Sequence, residues 1–434
     1  MERFRIRRRN PRAARVAYGV LAVGAALLLA ACSSNSSSST STTTPATTSS
    51  STPTSSSTSS ASTSADLSAL AAQVNAAAAV PSFSTYAAQY GGPVSNTSNL
   101  KGKKIMILPG DSALAACTEI AQAVAALATD EGMTPTIFAN QGLESQYNTA
   151  IEDAIHGGYS AIAAGCDFDP TLVAPAFAQA QKAGIKIAVY GATQQEAQQT
   201  NITYNNVDPY QLDAQYAAEE AVVQHNGQPF QAIAITSNAA PATAIMQAAL
   251  TSELAKICPA CTVKDYDVEV PEWATDIQST VTSALLANPS VSVIFPDYAG
   301  MLTYMMAGIE AAHKTSTVKT YLAFGGGTPF VQLQTEQPGA SVIQQDIGGY
   351  PPWTGYLLFL QTARALEGMS PISYDDAIGP DRIVTPQNAV NVLETGGWGT
   401  SWVNGFRGLL GLPALSGSAL TAASTLNGSM TGKP

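Results

Sequence analysis

The sequence predicts an α/β fold of two Rossmann-like lobes, each a parallel sheet flanked by helices. Three observations carry this expectation. From about Leu100, short apolar strand patterns alternate strictly with longer helical ones, and continuous apolar strands belong to parallel sheets covered on both faces. Near residue 208 the alternation restarts, so two modules of similar size and order follow one another. The globular part spans roughly 270 to 330 residues, enough for two domains of ordinary size.

The first module opens with Lys103-Lys104-Ile105-Met106-Ile107-Leu108, charged residues leading into a buried strand, closed by Pro109-Gly110. A helical pattern over 113–130 follows, then a strand at Thr136-Ile137-Phe138 and a helix over 145–154. Residues 160–164 form a third strand, 171–183 a third helix, and 185–190 a fourth strand ending at Tyr190. The second module reads helix 210–224, strand 231–236, helix 242–257, strand 262–268 and helix 275–287, which Asn288-Pro289 closes. Strand 291–295, helix 301–312 and strand 320–324 complete it. Ligands of such sheets sit beyond the carboxyl ends of the strands. The natural site is therefore the cleft between the two modules.

The two ends of the chain differ from this core. Arg3, Arg5, Arg7, Arg8, Arg9, Arg12 and Arg15 precede an apolar run over 16–31, and Leu29-Ala30-Ala31 leads to Cys32. The run is short for a membrane span and small residues precede the cysteine. That is the layout of a bacterial lipoprotein signal, with Cys32 as the lipidated residue and the protein outside the cytoplasm, held at the outer face of the cell membrane. Residues 33–64 are almost wholly Ser and Thr and read as a flexible tether spanning on the order of 30 Å. Residues 65–79 are alanine-rich and read as a short leader helix. Without the leader, 13 basic and 30 acidic residues remain, a net charge near −17. Such a chain does not hold nucleic acid by phosphate neutralisation. The surviving arginines are Arg364, Arg382 and Arg407, all in the last quarter, so a preformed arginine clamp for phosphate or carboxylate in the first 330 residues is excluded.

Cys117, Cys166, Cys258 and Cys261 lie in an oxidising compartment, where pairing is expected. Three connectivities are open, and Cys258–Cys261 with Cys117–Cys166 is the favoured one. Neither a second cysteine pair nor a histidine pair lies near Cys258-Pro259-Ala260-Cys261 to complete a zinc site. The three histidines, His156, His225 and His313, each fall where a helix ends, a placement that suits the helix dipole better than catalysis. Neither a Gly-x-Ser-x-Gly elbow nor a phosphate loop is present. The reading is of a non-enzyme, with no catalytic residue, metal or cofactor.

The stretch from Gly157 to Ala164, then Asp169-Pro170, Pro175-Ala176 and 183–187, resembles the first-lobe signature of type I periplasmic binding proteins, the ribose- and galactose-binding relatives. Residues 285–289, Val293-Ile294-Phe295 and Ala323-Phe324-Gly325-Gly326 resemble the second-lobe signature, and 341–346 the return into a multi-strand hinge. The cysteine pairs and leader helix are similar to those of a group of actinobacterial sugar-type lipoproteins. The resemblance covers about residues 100–370. With the readings of the two ends, the chain divides into a signal peptide (1–31), tether (32–64), leader helix and connection (65–99), N-terminal lobe (100–207), C-terminal lobe (208–344), hinge return (345–370) and C-terminal extension (371–434).

The resemblance also implies a monomer that closes on one small, sugar-like molecule and passes it to an ABC permease and its ATPase. Alternatives are a receptor feeding a signalling partner and a cell-surface interaction protein without transport. Carried over by position, the ligand set is Asp111, Ser112, Asp167 and Tyr190 in the first lobe. The second lobe adds Asn238, Trp273, Asp297, Tyr298, Phe324 and, at the hinge return, Gln345. Simpler roles exist for several: helix N-caps for Asp111, Asp167 and Asp297, and core packing for Tyr190, Phe324 and Trp273. The chain departs from sugar-binding relatives where they carry an Asp-Arg pair after the fourth strand, which here is Tyr190-Gly191. Their arginine after Asn238 is Ile245, and their Phe-Asp-Gly reads Phe324-Gly325-Gly326. Their first-lobe stacking phenylalanines fall on Ala116 and Cys117. A simple sugar and a less hydroxyl-rich ligand both remain open.

Overall fold

A computed structural model describes residues 64–166, 169–238, 240–325, 341–389 and 397–425. Cys32, the leader and most of the tether lie outside the described residues, as does Asp167. Strands β1 (Lys104–Pro109), β2 (Thr134–Ile137), β3 (Ala161–Gly165), β4 (Lys186–Tyr190) and β5 (Tyr204–Asn206) form a parallel sheet in the order β2-β1-β3-β4-β5. Strands β6 (Gln231–Thr236), β7 (Thr262–Asp267), β8 (Val291–Pro296), β9 (Lys319–Tyr321), β10 (Ile343–Gly348) and β11 (Arg382–Val384) form the second, in the order β11-β10-β9-β8-β6-β7. Only the β10–β11 pairing is antiparallel there.

Continuous burial explains the strands. β1 is buried beyond Lys104 and β3 throughout, as strands covered on both faces should be. Gly165 ends β3 with room for β4: a Cβ there would lie 2.7 Å from that of Tyr190. Helices α3 (Ala115–Asp130), α4 (Glu144–His156), α5 (Ala174–Lys182) and α6 (Gln194–Thr200) belong to the first lobe, and α7 (Tyr210–Gln224), α8 (Pro241–Ile257), α9 (Trp273–Ala287) and α10 (Leu302–Ala311) to the second. α6 and β5 are absent from the sequence reading. A seven-residue helix started by the Thr193/Glu196 capping box and a three-residue polar strand show no periodicity to read.

Helix α11 (Pro351–Leu366) follows β10 and packs against α3, β4 and β5 of the first lobe. Its sequence reads as amphipathic, yet every residue from Pro351 to Ala365 is buried. One face meets α3 so closely that a Cβ on Gly355 would lie 2.5 Å from that of Ala123. The other is covered by α2 (Phe83–Ala87) and α12 (Ser401–Leu409) through an aromatic cluster. Trp353 lies against Trp402 (5.5 Å between centroids) and Phe83 (5.7 Å), and Tyr356 against Trp402 (4.9 Å).

The chain therefore passes between lobes more often than a simple hinge requires. It crosses from β5 to α7, from β10 to α11, and again near Ile378, which bridges Val207 of the first crossing, before β11. It then returns to the first lobe as α12. At the other end, α1 (Ser64–Ala77) packs on α7 and β11 of the second lobe while α2 packs on the first. Arg382 joins these added passages. Its Nε donates to Ala78 O (2.8 Å) and its Nη1 to Gly397 O, and Trp398 stacks on Tyr350 (4.9 Å). Residues 371–434 thus supply β11 to one lobe, and α12 and α13 (Gly417–Thr425) near the other.

Candidate functional site

The carboxyl ends of both sheets converge where the hinge crossings run, and most of the candidate residues follow those strand ends. In the first lobe, Asp111 Oδ1 accepts from Ala113 N (2.7 Å), a local turn-closing bond. Ser112 links the loops after β1 and β2: its N–H donates to Asn140 O (3.1 Å) and its Oγ accepts from Asn140 N (3.0 Å). Asn140 is itself buried and donates to Pro109 O (2.7 Å). Tyr190 is buried at the end of β4 and donates its O–H to the Asp208 carboxylate. Burial first, and Asp208 second, drive its phenol pKa upward. Cys117 and Cys166 form a disulfide that ties the first turn of α3 to the end of β3. Cys258–Cys261 is the second disulfide, at the opposite end of α8's lobe from the cleft.

The second lobe contributes an aromatic wall. Trp273 is fixed by donation from Nε1 to Ser237 Oγ (2.8 Å) and Val268 O (3.1 Å). Its ring stacks on Tyr298 with centroids 6.0 Å apart, and Gly300 leaves it room, since a Cβ there would lie 2.7 Å from Cζ3. Tyr298 meets Phe324 edge-on (6.4 Å), and Phe324 meets Tyr210 edge-on (5.0 Å). The wall thus runs from the lobe edge to the hinge. The Tyr298 and Thr243 hydroxyls pair at 3.2 Å. Asn238 is exposed, with its N–H donating to Asp267 Oδ1 (2.9 Å).

Asp297 is fully buried beside the wall and accepts from Gln247 Nε2. Burial pushes its carboxyl up to about 7, against the lowering effect of hydrogen bonds from Gln247, Thr243 and Ser237. Gln345 is buried on β10 and donates to Leu322 O (3.4 Å).

The hinge holds a feature absent from the sequence reading. Asp208, Asp213, Asp346 and Asp381 gather there, where the crossings run side by side. A Cβ on Gly349 would lie 2.9 Å from Asp381 Oδ1 and 3.3 Å from Asp208 Oδ1, and one on Gly325 would strike Asp346. Burial raises the carboxyls of Asp213 and Asp381, each of which is found without a hydrogen-bond partner among the described residues. Asp208 and Asp381 flank prolines, where an acid normally marks a solvated turn, while Asp213 and Asp346 lie inside a helix and a strand, so no sequence signal gathered the four.

Cations point elsewhere. Arg364 donates to Ser370 O (2.9 Å), Arg382 to Ala78 O, and Arg407 to Pro413 O (2.7 Å) and Asp130. Lys104, Lys186 and Lys319 stand at the amino ends of β1, β4 and β9, opposite the cleft. His156 closes α4, and His225 follows α7 with Nδ1 2.7 Å from Ala221 O. Among the described residues, no group of three or more His, Cys, Asp or Glu side chains is arranged to hold a metal ion, and no helix is long and apolar enough to cross a membrane.

Residues 105–369 match the family model described as a periplasmic binding protein domain. No curated protein matches the chain by sequence. Solved structures do. An ABC transporter solute-binding protein from Agrobacterium vitis with bound allitol superposes with a TM-score of 0.58 at 19% identity, covering 68% of this chain and 98% of that one. A 5-methylthioribose transporter solute-binding protein from Thermotoga lettingae, holding that compound, gives 0.57 at 15%, over 77% of this chain and 100% of that one. A carbohydrate transporter protein from Acidothermus cellulolyticus in complex with myo-inositol gives 0.54 at 16%, over 69% and 99%.

Proposed function

The chain belongs to the periplasmic binding protein domain family, and from that premise we propose that it is the substrate-binding lipoprotein of an ABC importer. It captures one small molecule between its lobes and presents it to a membrane permease driven by an ATPase. The observation that carries the reading is the aromatic wall Trp273–Tyr298–Phe324–Tyr210 ending at the hinge, with buried hydrogen-bonding groups beside it. A flat apolar face with a few fixed polar groups is what a sugar ring or cyclitol needs. The ligands of the three relatives, allitol, 5-methylthioribose and myo-inositol, are likewise uncharged and rich in hydroxyls.

The ligand set is Asp111, Ser112, Asp167, Tyr190, Asn238, Trp273, Asp297, Tyr298, Phe324 and Gln345, to which the geometry adds Tyr210. Acids outnumber cations at the strand ends, so phosphorylated and carboxylated sugars are disfavoured and neutral ones accepted. The chain acts as a monomer, held by lipid on Cys32 at the outer face of the cell membrane. The Ser/Thr tether then leads to α1 on the second lobe. No reaction is assigned to it.

Uptake by cells lacking the chain tests this. Import of the compound that the purified protein binds falls at least about tenfold on deletion and returns with the intact gene. Unchanged import would contradict the transport role.

A further inference from the structure

The cleft changes character along its length. At the hinge side, Asp208, Asp213, Asp346, Asp381 and Gln345 gather where the crossings run. Each sheet also has an edge far from those crossings, β2 in the first lobe and β7 in the second. Residues beyond that half of each sheet are of the opposite kind. Of the eight large apolar side chains that are exposed among the described residues, five lie at or beyond the carboxyl ends of β1, β2, β3 and β7. They are Leu114, Ile137, Leu143, Leu172 and Val270, each 41% to 51% exposed.

The first-lobe members form one patch. Two hydrogen bonds between Ser112 and Asn140 (3.1 and 3.0 Å) join the loops that carry Leu114 and Leu143, and a Cβ on Gly142 would lie 3.7 Å from Asp111 Oδ2. Helix α4 packs on the 3-10 turn Pro170–Val173, which carries Leu172. Contiguous exposed apolar surface, unlike a single exposed leucine, calls for an occupant. Local stability gives no reason for it. Leu114 and Leu143 hold the N-cap positions of α3 and α4 without a side-chain hydrogen bond. Ser, Thr, Asp or Asn would satisfy a backbone N–H there, and leucine is among the poorest choices.

The patch continues into the candidate site. Leu114 follows Asp111 and Ser112, and Val270 precedes Trp273 at the outer end of the aromatic wall. We propose that the ligand is a hydroxyl-rich ring bearing an apolar substituent. The ring lies at the hinge side against Phe324 and Tyr210, and the substituent runs outward past Trp273 to Leu114, Leu143 and Val270. Release of water from these aliphatic and indole surfaces supplies the affinity for the substituent, while the polar groups at the hinge read the hydroxyls. The inference rests on the sugar-like ligand of the proposed importer and names its class more narrowly.

Titration calorimetry of the purified protein with methyl and butyl glycosides of glucose, galactose, xylose and ribose tests it. For the sugar that binds, the butyl compound is expected to bind at least about tenfold more tightly than the methyl one. Leu114→Ser with Leu143→Ser puts good N-caps at exposed positions, so the fold is kept and the preference disappears. Val270→Ser weakens the preference from the second lobe. Leu286→Ser, exposed at the far end of α9, retains it. Equal affinity within every pair overturns the proposal and leaves sugar binding standing, whereas silence from all the glycosides overturns both. A preference that survives the double variant, or one lost in Leu286→Ser, overturns it as well. Equal affinities joined to import that the double variant impairs would give the leucines to the permease instead.

Discussion

Trp273 and Asp297 do different work at the candidate site. Trp273 is held by two hydrogen bonds from one indole nitrogen and by the missing side chain of Gly300, so its face is fixed before a ligand arrives. Trp273→Ala removes a stacking face and should weaken ligand binding at least about tenfold, roughly 1.4 kcal/mol, with the fold intact. Gly300→Val should give the same loss by displacing the ring, and titration calorimetry on both variants checks it. Asp297 lies buried with its carboxyl raised to about 7. Asp297→Asn keeps the contact with Gln247 while removing the titration, so affinity should lose any dependence on pH between 6 and 8 that this group imposes. The resemblance points to Trp273, Tyr298 and Phe324 one by one, and the structure places their rings side by side. Tyr210 and the four hinge acids were not legible, because they come from two crossings, a helix start and a strand that only the folded chain brings together.

Helix α12 shows how an element far from the cleft bears on it. Trp402 and Phe406 are fully buried against Trp353 and Phe83, so Phe406→Ala should destabilise the protein by about 3–5 kcal/mol, measured by denaturant unfolding. The tail is the least patterned part of the sequence, yet Trp398, Trp402 and Phe406 point to packing, and all three are fully buried. The long periodic elements were readable because burial on both faces leaves an unbroken apolar run. α6, β5 and β11 were not, being seven, three and three residues long. α11 was read as amphipathic because nothing in its own residues reports that α2 and α12 cover its outer face. The Cys117–Cys166 bond encloses a 49-residue separation and contributes about 3–4 kcal/mol in the loop-entropy picture. Cys117→Ala with Cys166→Ala should lower stability by that order and also weaken ligand binding, since the bond fixes the end of β3 beside the cleft.

Across the whole molecule, buried carboxyls set the response to pH. Glu131, Glu219 and Asp297 are each raised to about 7, chiefly by burial, and Asp381 to about 6. Each holds a proton in the folded protein where the unfolded chain has released it. Their contribution is therefore fully present below the ordinary carboxylate range and is lost as pH rises through about 6 to 7. Thermal unfolding should show a lower Tm at pH 8 than at pH 5. Even about 2 kcal/mol retained after solvent screening corresponds to roughly 3 °C for a folded body of this size. A Tm that rises over this interval would contradict the assignment of these groups.

The account as a whole stands on a cleft that binds a small, hydroxyl-rich, non-anionic molecule. The most direct test is thermal unfolding of the purified protein against pentoses, hexoses, polyols, cyclitols, amino sugars and sugar acids. A ligand at about 100 times its dissociation constant adds about 2.7 kcal/mol, and the account predicts such a shift from at least one neutral sugar or polyol, absent in Trp273→Ala. Stabilisation by sugar acids alone, or by nothing in the panel, would contradict it.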